Sequence, residues 1–362
     1  MNDINNEDKK KLFSFFNNIK KEMSDSHLNW KDKTNSHILI VDGNNLFLRG
    51  FCASVSMNGN GESSGGVVYA LKSLGSVIKM LNVSRVIMVF DGIGGSKKRK
   101  SIYPDYKAHS ANKIRLNRIY EENSTPQGED ENKQHQYLQF INYLQVLPVN
   151  IVSQNYVEAD DVISYLATDY FKSSKKVTIF SSDRDFLQLV DNRVQVYSAT
   201  KKQIYGVSQV LAEYNIHPNN YVLFRSMDGD KSDNINGIER AGLKTVCKHF
   251  PYLKEEKVHT IEEIITHATD MRNKYVVCEN IASGKSIIER NYALMQLKDT
   301  SLGVTAQLHL QEILAENKIP RLDRNAFYKL IRNDKLANNM PDYVNWCGQC
   351  FDYLNNVVRE GN

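Results

Sequence analysis

Three short runs rich in Ile and Val, each leading to an aspartate, limit what this chain can fold into. They are His37-Ile38-Leu39-Ile40-Val41-Asp42, Arg85-Val86-Ile87-Met88-Val89-Phe90-Asp91 and Lys176-Val177-Thr178-Ile179-Phe180, the last continuing into Ser181-Ser182-Asp183-Arg184-Asp185. An apolar run too short for a helix reads as a strand buried on both faces, as in a parallel sheet. Between the runs lie helical stretches, Val67 to Leu81 and about Gln134 to Leu147. Strands separated by helices give an α/β fold with a doubly wound, mostly parallel sheet. Ligands of such sheets bind outside the carboxyl ends of the strands. Asp42, Asp91, Asp183 and Asp185 all stand there.

The stretch Tyr156-Val157-Glu158-Ala159-Asp160-Asp161 adds three carboxylates within four residues, followed by Val162, Ile163 and Leu166 at helical spacing. These acids open a helix whose dipole tolerates negative charge, and the connection into that helix starts from the same sheet edge. Carboxylates gathered at one edge cannot all stay ionised without compensating charge. Hard divalent cations with oxygen ligands supply it, and no histidine or cysteine accompanies the acids to suggest zinc. Two such ions can activate water and stabilise a leaving oxygen, the chemistry of phosphodiester hydrolysis.

A basic stretch leaves directly from Asp91. Lys97, Lys98, Arg99, Lys100, Lys107, Lys113, Arg115 and Arg118 are interleaved with Tyr103, Tyr106 and Tyr120. Cations neutralise phosphates and tyrosine rings stack on bases, so a substrate-gripping role outweighs that of a solvated helix face. Thr125 to Lys133 reads as a polar, turn-rich connection. Val194 to Tyr197 suggests a further short strand, and Val207 to Tyr214 a helix. Farther on, Gly229-Asp230-Lys231-Ser232-Asp233-Asn234 and Ala241-Gly242-Leu243-Lys244-Thr245-Val246 are turn-forming segments leading into a helix. Such a module suits a phosphate backbone, and Asp230 and Asp233 could reach a metal.

In this order Val41-Asp42-Gly43-Asn44-Asn45, Phe90-Asp91-Gly92, Tyr103-Pro104-Asp105-Tyr106-Lys107, Glu158-Ala159-Asp160-Asp161, Ser182-Asp183-Arg184-Asp185 and Gly229-Asp230-Lys231-Ser232-Asp233-Asn234 resemble the motifs of the 5′ nuclease family, the flap endonucleases and 5′–3′ exonucleases. The resemblance covers roughly residues 37 to 250 and is strongest to phage-type members. It implies a PIN-like core at 37–205 with a helical arch at about 93–135. A helical DNA-binding lobe would follow at 206–362, with a helix–hairpin–helix-like element at about 229–250.

One metal would be held by Asp42, Asp91, Glu158 and Asp160, the other by Asp183, Asp185 and Asp233, with Asp161 and Asp230 supporting. The resemblance implies two Mg²⁺ ions, with Mn²⁺ able to substitute, and a K⁺ at the hairpin element. Lys107 matches a lysine that positions the scissile phosphate, Tyr106 an aromatic that stacks on a base, and Arg49 a basic residue near the phosphates. Arg99, Lys100, Lys113, Arg115, Gly237, Gly242, Lys244 and Thr245 would contact nucleic acid. Two departures stand out. Ala108-His109-Ser110 lacks an arginine that the family usually carries, for which Lys113 or Arg115 would stand in, and Arg240 replaces a hairpin glycine.

The implied activity is hydrolysis near the 5′ end of flapped, nicked or branched DNA duplexes and RNA–DNA hybrids. It would remove primers or flaps in replication, including by a ribonuclease H activity. The rival readings are a single-strand ribonuclease of the PIN type and a structure-specific DNA-binding protein without chemistry. The duplex-gripping module weighs against the first and the clustered acids against the second.

Residues 1–36 lie outside the resemblance. There Leu12, Phe15, Phe16, Ile19 and Met23 recur at helical spacing, an amphipathic helix that packs on the body or docks replication proteins. No apolar run reaches membrane length, the N-terminus lacks the apolar core of a signal peptide, and the five cysteines form no paired framework. A cytoplasmic, monomeric protein without a membrane partner is expected. Cys347-Gly-Gln-Cys350 lacks the second pair or the histidines that zinc would need.

Overall fold

The computed structural model describes residues 35–108, 125–299, 302–315 and 318–360. Its sheet contains β1 (His37–Asp42), β2 (Arg85–Asp91), β3 (Asn150–Gln154), β4 (Lys176–Phe180), β5 (Val194–Ser198) and β6 (Gln203–Tyr205), in the spatial order β3-β2-β1-β4-β5-β6. All neighbours run parallel except β5 and β6. The strand order turns back between β1 and β4, where Ile40 pairs with Ile179 on one side and with Ile87 on the other. That is the switch point at which an open α/β sheet forms its crevice. The ends of β1 and β4, and hence Asp42 and Asp183, flank it.

Both faces of the central strands are sealed. Ile38 and Ile40 join Ile87, Val89, Val177 and Ile179 in one core, while Leu39 and Val41 join Val86, Met88, Phe90 and Phe180 in the other. With period-two alternation and two apolar faces, these strands have no solvent side to occupy, which explains their unbroken Ile and Val runs.

The second face is covered by α1 (Gly43–Ala53), α2 (Gly65–Leu81) and α4 (Pro126–Gln145); α3 (Lys97–Ile102) leads away from the end of β2. On the first face lie α5 (Ala159–Tyr165), α6 (Val207–Tyr214) and α7 (Pro218–Asp228), followed by the small hairpin β7 (Gly229–Asp230) and β8 (Ile235–Asn236) and by α8 (Leu243–His249). The same core runs on through α9 (Ile261–Met271), α10 (Val276–Ser283), α11 (Lys285–Met295) and α12 (Val304–Ile313). The last helices, α13 (Arg324–Asn333) and α14 (Tyr343–Glu360), return to the second face, where Cys347 and Cys350 are buried among Phe327 and Phe351. Among the described residues no helix is long and apolar enough to cross a membrane.

Three elements differ from the sequence expectation. Residues 126–133 are the first turns of α4 rather than a connection, because the Thr125 side chain accepts a hydrogen bond from the Gly128 amide (3.1 Å) and Pro126 suits the first helical turn. Strands β3 and β6 carry no long apolar run, since both lie at sheet edges and bury only part of their side chains. Residues 1–34, with the amphipathic pattern, lie outside the described residues.

The edge of the sheet nearest β3 is closed tightly. A methyl group added at Gly92 would sit 1.7 Å from the Gln154 carbonyl oxygen, backbone against backbone. The Gly92 amide also donates to Val157 O (3.2 Å), tying the loop after β2 to the loop before α5. Gly92→Ala is therefore expected to cost about 1–3 kcal/mol, as overpacking does. Urea unfolding of the two proteins checks it, and an unchanged midpoint would show that these loops are not pressed together.

Candidate metal and nucleic-acid site

Each acid reaches the crevice through a local structural reason. Asp42 caps α1, its Oδ1 accepting from the Asn45 amide (2.9 Å), while its Oδ2 accepts from Ser181 Oγ (3.0 Å) across the switch point. Asp91 accepts from the Ala159 amide at the start of α5 (2.8 Å) and from Asn44 Nδ2 (2.6 Å), so the β2 end is tied to two helix starts. Glu158 is the N-cap residue of α5, with Asp160 and Asp161 in the first turn. After β4, Asp183 Oδ1 accepts from the Asp185 amide (2.8 Å), which turns the chain so that both carboxylates stay at the edge. Asp230 and Asp233 arrive from the β7–β8 hairpin, where Asp230 also accepts from the Ser232 amide (2.7 Å).

The electrostatics show one shared field. Burial, with the charge of Asp91 in the same direction, pushes Asp42 up to about 6. Asp160 is held well above the ordinary carboxylate range, first by burial and then by Asp183 and Asp42. Burial raises Asp183, with Asp233, Asp42 and Asp230 adding to it. Asp185 is likewise pushed up by burial to about 6, although Arg225 pulls the other way. Burial raises Asp233 too. Asp230 is the exception: burial opposes ionisation, but hydrogen bonds from Ser232 and the Arg225 charge outweigh it and hold Asp230 low. These carboxylates come from five segments of the chain, yet they perturb one another.

Three cations offset part of that charge. Lys107 Nζ lies 3.3 Å from Glu158 Oε1, and although burial disfavours its ammonium, Glu158, Asp233 and Asp160 together raise its pKa. Its backbone is left-handed, with φ of 56°. The chain is held there by the Lys107 amide, which donates to Asp233 O (2.9 Å). Arg225, on α7, is fully buried and donates through Nε to Asp185 Oδ1 (2.6 Å) and through Nη2 to Asp230. Sequence reasoning passed over Arg225. Its signal is a single arginine in the apolar run Tyr221-Val222-Leu223-Phe224, a placement that demands a buried acidic partner.

Arg99 corrects an expectation. Rather than facing nucleic acid, it is buried, donating Nη1 to Glu158 Oε2 (2.7 Å) and gripping Asp161 through Nη1 and Nη2 (2.7 and 3.0 Å). Asp161 is thus spent on a bidentate ion pair that fixes α3 to α5 and is not free to support a metal. Tyr106 is a second correction: only 2% exposed, its ring cannot stack on a base. Its hydroxyl donates instead to Glu158 Oε2 (3.0 Å) and Asp233 Oδ2 (3.2 Å).

Arg49 lies beside the crevice, donating to Ser182 Oγ (3.1 Å) and Tyr69 OH (2.6 Å). Lys100 is exposed on α3. Gly242 caps the start of α8, followed by exposed Lys244 and half-buried Thr245. Gly237 is held by close packing, since a methyl there would meet Asp228 O at 2.2 Å. Arg240 adopts φ of 68°, so the left-handed turn usually left to glycine is kept with an arginine. Lys113 and Arg115 lie outside the described residues.

Oxygen donors and mutual repulsion among half-buried to buried carboxylates are what a hard divalent cation relieves, and the donor set fits one. Among the described residues no three acidic, histidine or cysteine side chains converge closely enough to hold a metal ion as they stand, and the charge balance rests on Lys107, Arg99 and Arg225.

Comparison with known proteins adds the lineage. A family model described as the 5′-3′ exonuclease N-terminal resolvase-like domain matches residues 37–215. The chain is 27% identical over 278 residues to a 5′-3′ exonuclease of Buchnera aphidicola subsp. Schizaphis graminum, covering 75% of this chain and 89% of the relative. To a 5′-3′ exonuclease of Aquifex aeolicus it is 26% identical over 261 residues, covering 72% and 81%. In structure it is similar to the bacteriophage T5 flap endonuclease, solved as a pseudo-enzyme–product complex with DNA and metal ions. There the TM-score is 0.60 at 19% identity, with 82% of this chain and 97% of that one covered. Over residues 37–215 the chain carries the N-terminal domain of the 5′-3′ exonucleases, and its motifs, fold and relatives together support its place in the 5′ nuclease family.

Proposed function

We propose that this protein is a divalent-metal-dependent nuclease that hydrolyses phosphodiesters near the 5′ end of flapped, nicked or branched duplexes, RNA–DNA hybrids included, to remove primers or flaps during replication. The observation that carries the reading is the gathering of buried Asp42 and half-buried Asp160, Asp183 and Asp185 in one field that raises their pKa values. Burying charge together is costly, and a fold keeps such a group where a cation and a phosphate backbone complete it.

Asp42, Asp91, Glu158 and Asp160 would hold one Mg²⁺, and Asp183, Asp185 and Asp233 a second. When bound, the ions supply an activated water and stabilisation of the leaving oxygen. The chain's own part is positioning. Asn44 and the Ala159 amide orient Asp91, and Ser181 orients Asp42. Lys107, kept cationic by Glu158 and its neighbours, offers a donor to the scissile phosphate from a backbone held by Asp233 O. Exposed Lys100 and Lys244 can neutralise phosphates on either side. The T5 flap endonuclease was solved with DNA and metal ions, and a second T5 structure, with TM-score 0.57, was solved with zinc. These relatives support a metal-dependent reading.

Replacing Asp183 by Ala is expected to lower Mg²⁺-dependent cleavage of a 5′-flap duplex by at least about 100-fold, since even partners behind metal ligands cost that much. The melting temperature should hold or rise, because one repelling charge is gone. Cleavage products from 5′-labelled flap, nicked, hybrid and single-stranded substrates, each with Mg²⁺ and with EDTA, provide the measurement. Undiminished cutting by the variant, or cutting in EDTA, would contradict the proposal.

The raised carboxylates also set a pH dependence. With folded-state pKa values of about 6 for Asp42 and Asp185, the folded chain holds more protons than the unfolded chain between about pH 4 and 6. These groups therefore stabilise the metal-free fold least above that window, and their contribution declines as pH rises through it. A divalent cation binds the ionised forms, so Mg²⁺ should raise the melting temperature more at about pH 7.5 than at about pH 5. Calorimetry in EDTA and in Mg²⁺ at both pH values tests this, and an equal shift at both would remove these acids from the metal site.

A further inference from the structure

The last turn of α11 ends inside the protein, where carbonyls without an intrahelical partner must find other donors. Leu294, Met295 and Leu297 are all buried, and polar side chains from three other elements take up their backbone groups. Arg99 Nε, from α3, donates to Leu294 O (2.8 Å). Gln188 lies on the 3₁₀ turn Asp185–Leu189 that follows β4. Its Nε2 donates to Met295 O (2.9 Å), and its Oε1 accepts from the Leu297 amide (2.9 Å). Ser164, fully buried on α5, donates through Oγ to Leu297 O. The cleavage reading leaves Gln188 and Ser164 unused.

Each of these partners also reaches the acids. Arg99 grips Glu158 and Asp161, and α5 carries Asp160. Gln188 is 1% exposed, and the same Nε2 donates to Asp185 O (2.8 Å). The two carbonyls and one amide around this side chain fix which end of it is oxygen and which nitrogen. Two successive carbonyls of α11 therefore hold one acid group each, Leu294 through Arg99 to Glu158 and Met295 through Gln188 to Asp185. The Asp185 residue is gripped at both peptide groups, since its amide donates to Asp183 Oδ1 (2.8 Å) while its carbonyl accepts from Gln188. A shift of Gln188 would carry both carboxylates with it.

We infer that the stretch 294–297 sets the spacing between the two acid groups, and that Gln188 is the positioning residue that fixes Asp183 and Asp185 to it. The inference rests on the nuclease reading and deepens it, because a stretch outside residues 37–215, which the domain model matches, becomes part of the acid site. Gln188, sealed from solvent, acts only through the Asp185 backbone.

The experiment titrates Mn²⁺ into the full chain and reads the bound ion by electron paramagnetic resonance, for the native chain, Gln188→Met, Gln188→Asn and Ile331→Ala. Methionine keeps the length of the side chain and removes its hydrogen bonds. Asparagine keeps the amide but is one methylene too short to serve Asp185 O and Met295 O together. Ile331→Ala, in the core on the other face of the sheet, lowers the melting temperature without touching the stretch 294–297. The native chain should bind two ions. In both Gln188 variants one ion should be held as before and the other at least about 10-fold more weakly, as when a group behind a metal ligand is removed. Ile331→Ala should bind both ions as the native chain does. Cleavage of a 5′-flap duplex by the Gln188 variants should recover as Mn²⁺ is raised. Unchanged Mn²⁺ affinities in either Gln188 variant overturn the inference, and so does an equal loss in Ile331→Ala, which would reduce the effect to stability. A native chain that binds no Mn²⁺ brings down the nuclease reading itself, whereas native binding with indifferent Gln188 variants removes the positioning role alone.

Discussion

Repulsion among buried carboxylates is the constraint around which this molecule is arranged. The sheet brings Asp42 and Asp183 to either side of its switch point, and α5 adds Glu158 and Asp160 from the same edge. Left alone, that set would destabilise the fold. The chain answers with cations set in by packing: Arg99 between Glu158 and Asp161, Lys107 against Glu158, and Arg225 between Asp185 and Asp230. Each ion pair has at least one buried partner, so each gives less net stability than its short distances suggest. Their effect is to leave a definite subset of acids, Asp42, Asp91, Asp160 and Asp183 among them, without a cationic side chain hydrogen-bonded to it. Glu158 and Asp185, which the proposed reading also gives to the metals, would share their oxygens with these cations.

Much of this was legible in the sequence because the signals are local. A double-faced parallel strand cannot be written without an unbroken apolar run, and an acid placed directly after the run has only one edge to occupy. Asp42, Asp91 and Asp183 follow from that rule alone. The acids at 158–161 were readable for a similar reason, since a helix start tells where its first turn lies. The edge strands β3 and β6 were not readable, because half-buried strands of five and three residues carry no pattern that outweighs their neighbours.

The cations show where local reading stops. Lys97, Lys98, Arg99 and Lys100 are consecutive and alike in charge, yet only Arg99 is buried. Which of four basic residues turns inward depends on where α5 sits relative to α3, a tertiary fact that no spacing records. Guanidinium geometry favours arginine there, because a planar fork can serve Glu158 and Asp161 together where an ammonium would not. Tyr106 illustrates the same limit. An aromatic in a basic segment reads as a stacking surface, but its position over Val222, Ile235, Leu294 and Met295 makes it a core residue with a useful hydroxyl.

The inward residues also link two regions that are far apart in sequence. The Lys107 amide donates to Asp233 O, Asn234 Nδ2 donates to Asp105 O (2.9 Å), and the Tyr106 hydroxyl reaches both Glu158 and Asp233. The segment at 103–107, which follows α3, is therefore sewn to the β7–β8 hairpin that leads towards α8. A displacement of either piece must carry Lys107 and Asp233 with it, one the proposed phosphate donor and the other a proposed acid of the second metal group. On the proposed reading, seating of duplex against the hairpin and placement of Lys107 among the acids become a single geometric condition. Specificity for a branched end need not come from reading bases: it follows if only a substrate that satisfies both contacts brings its phosphate to the acids.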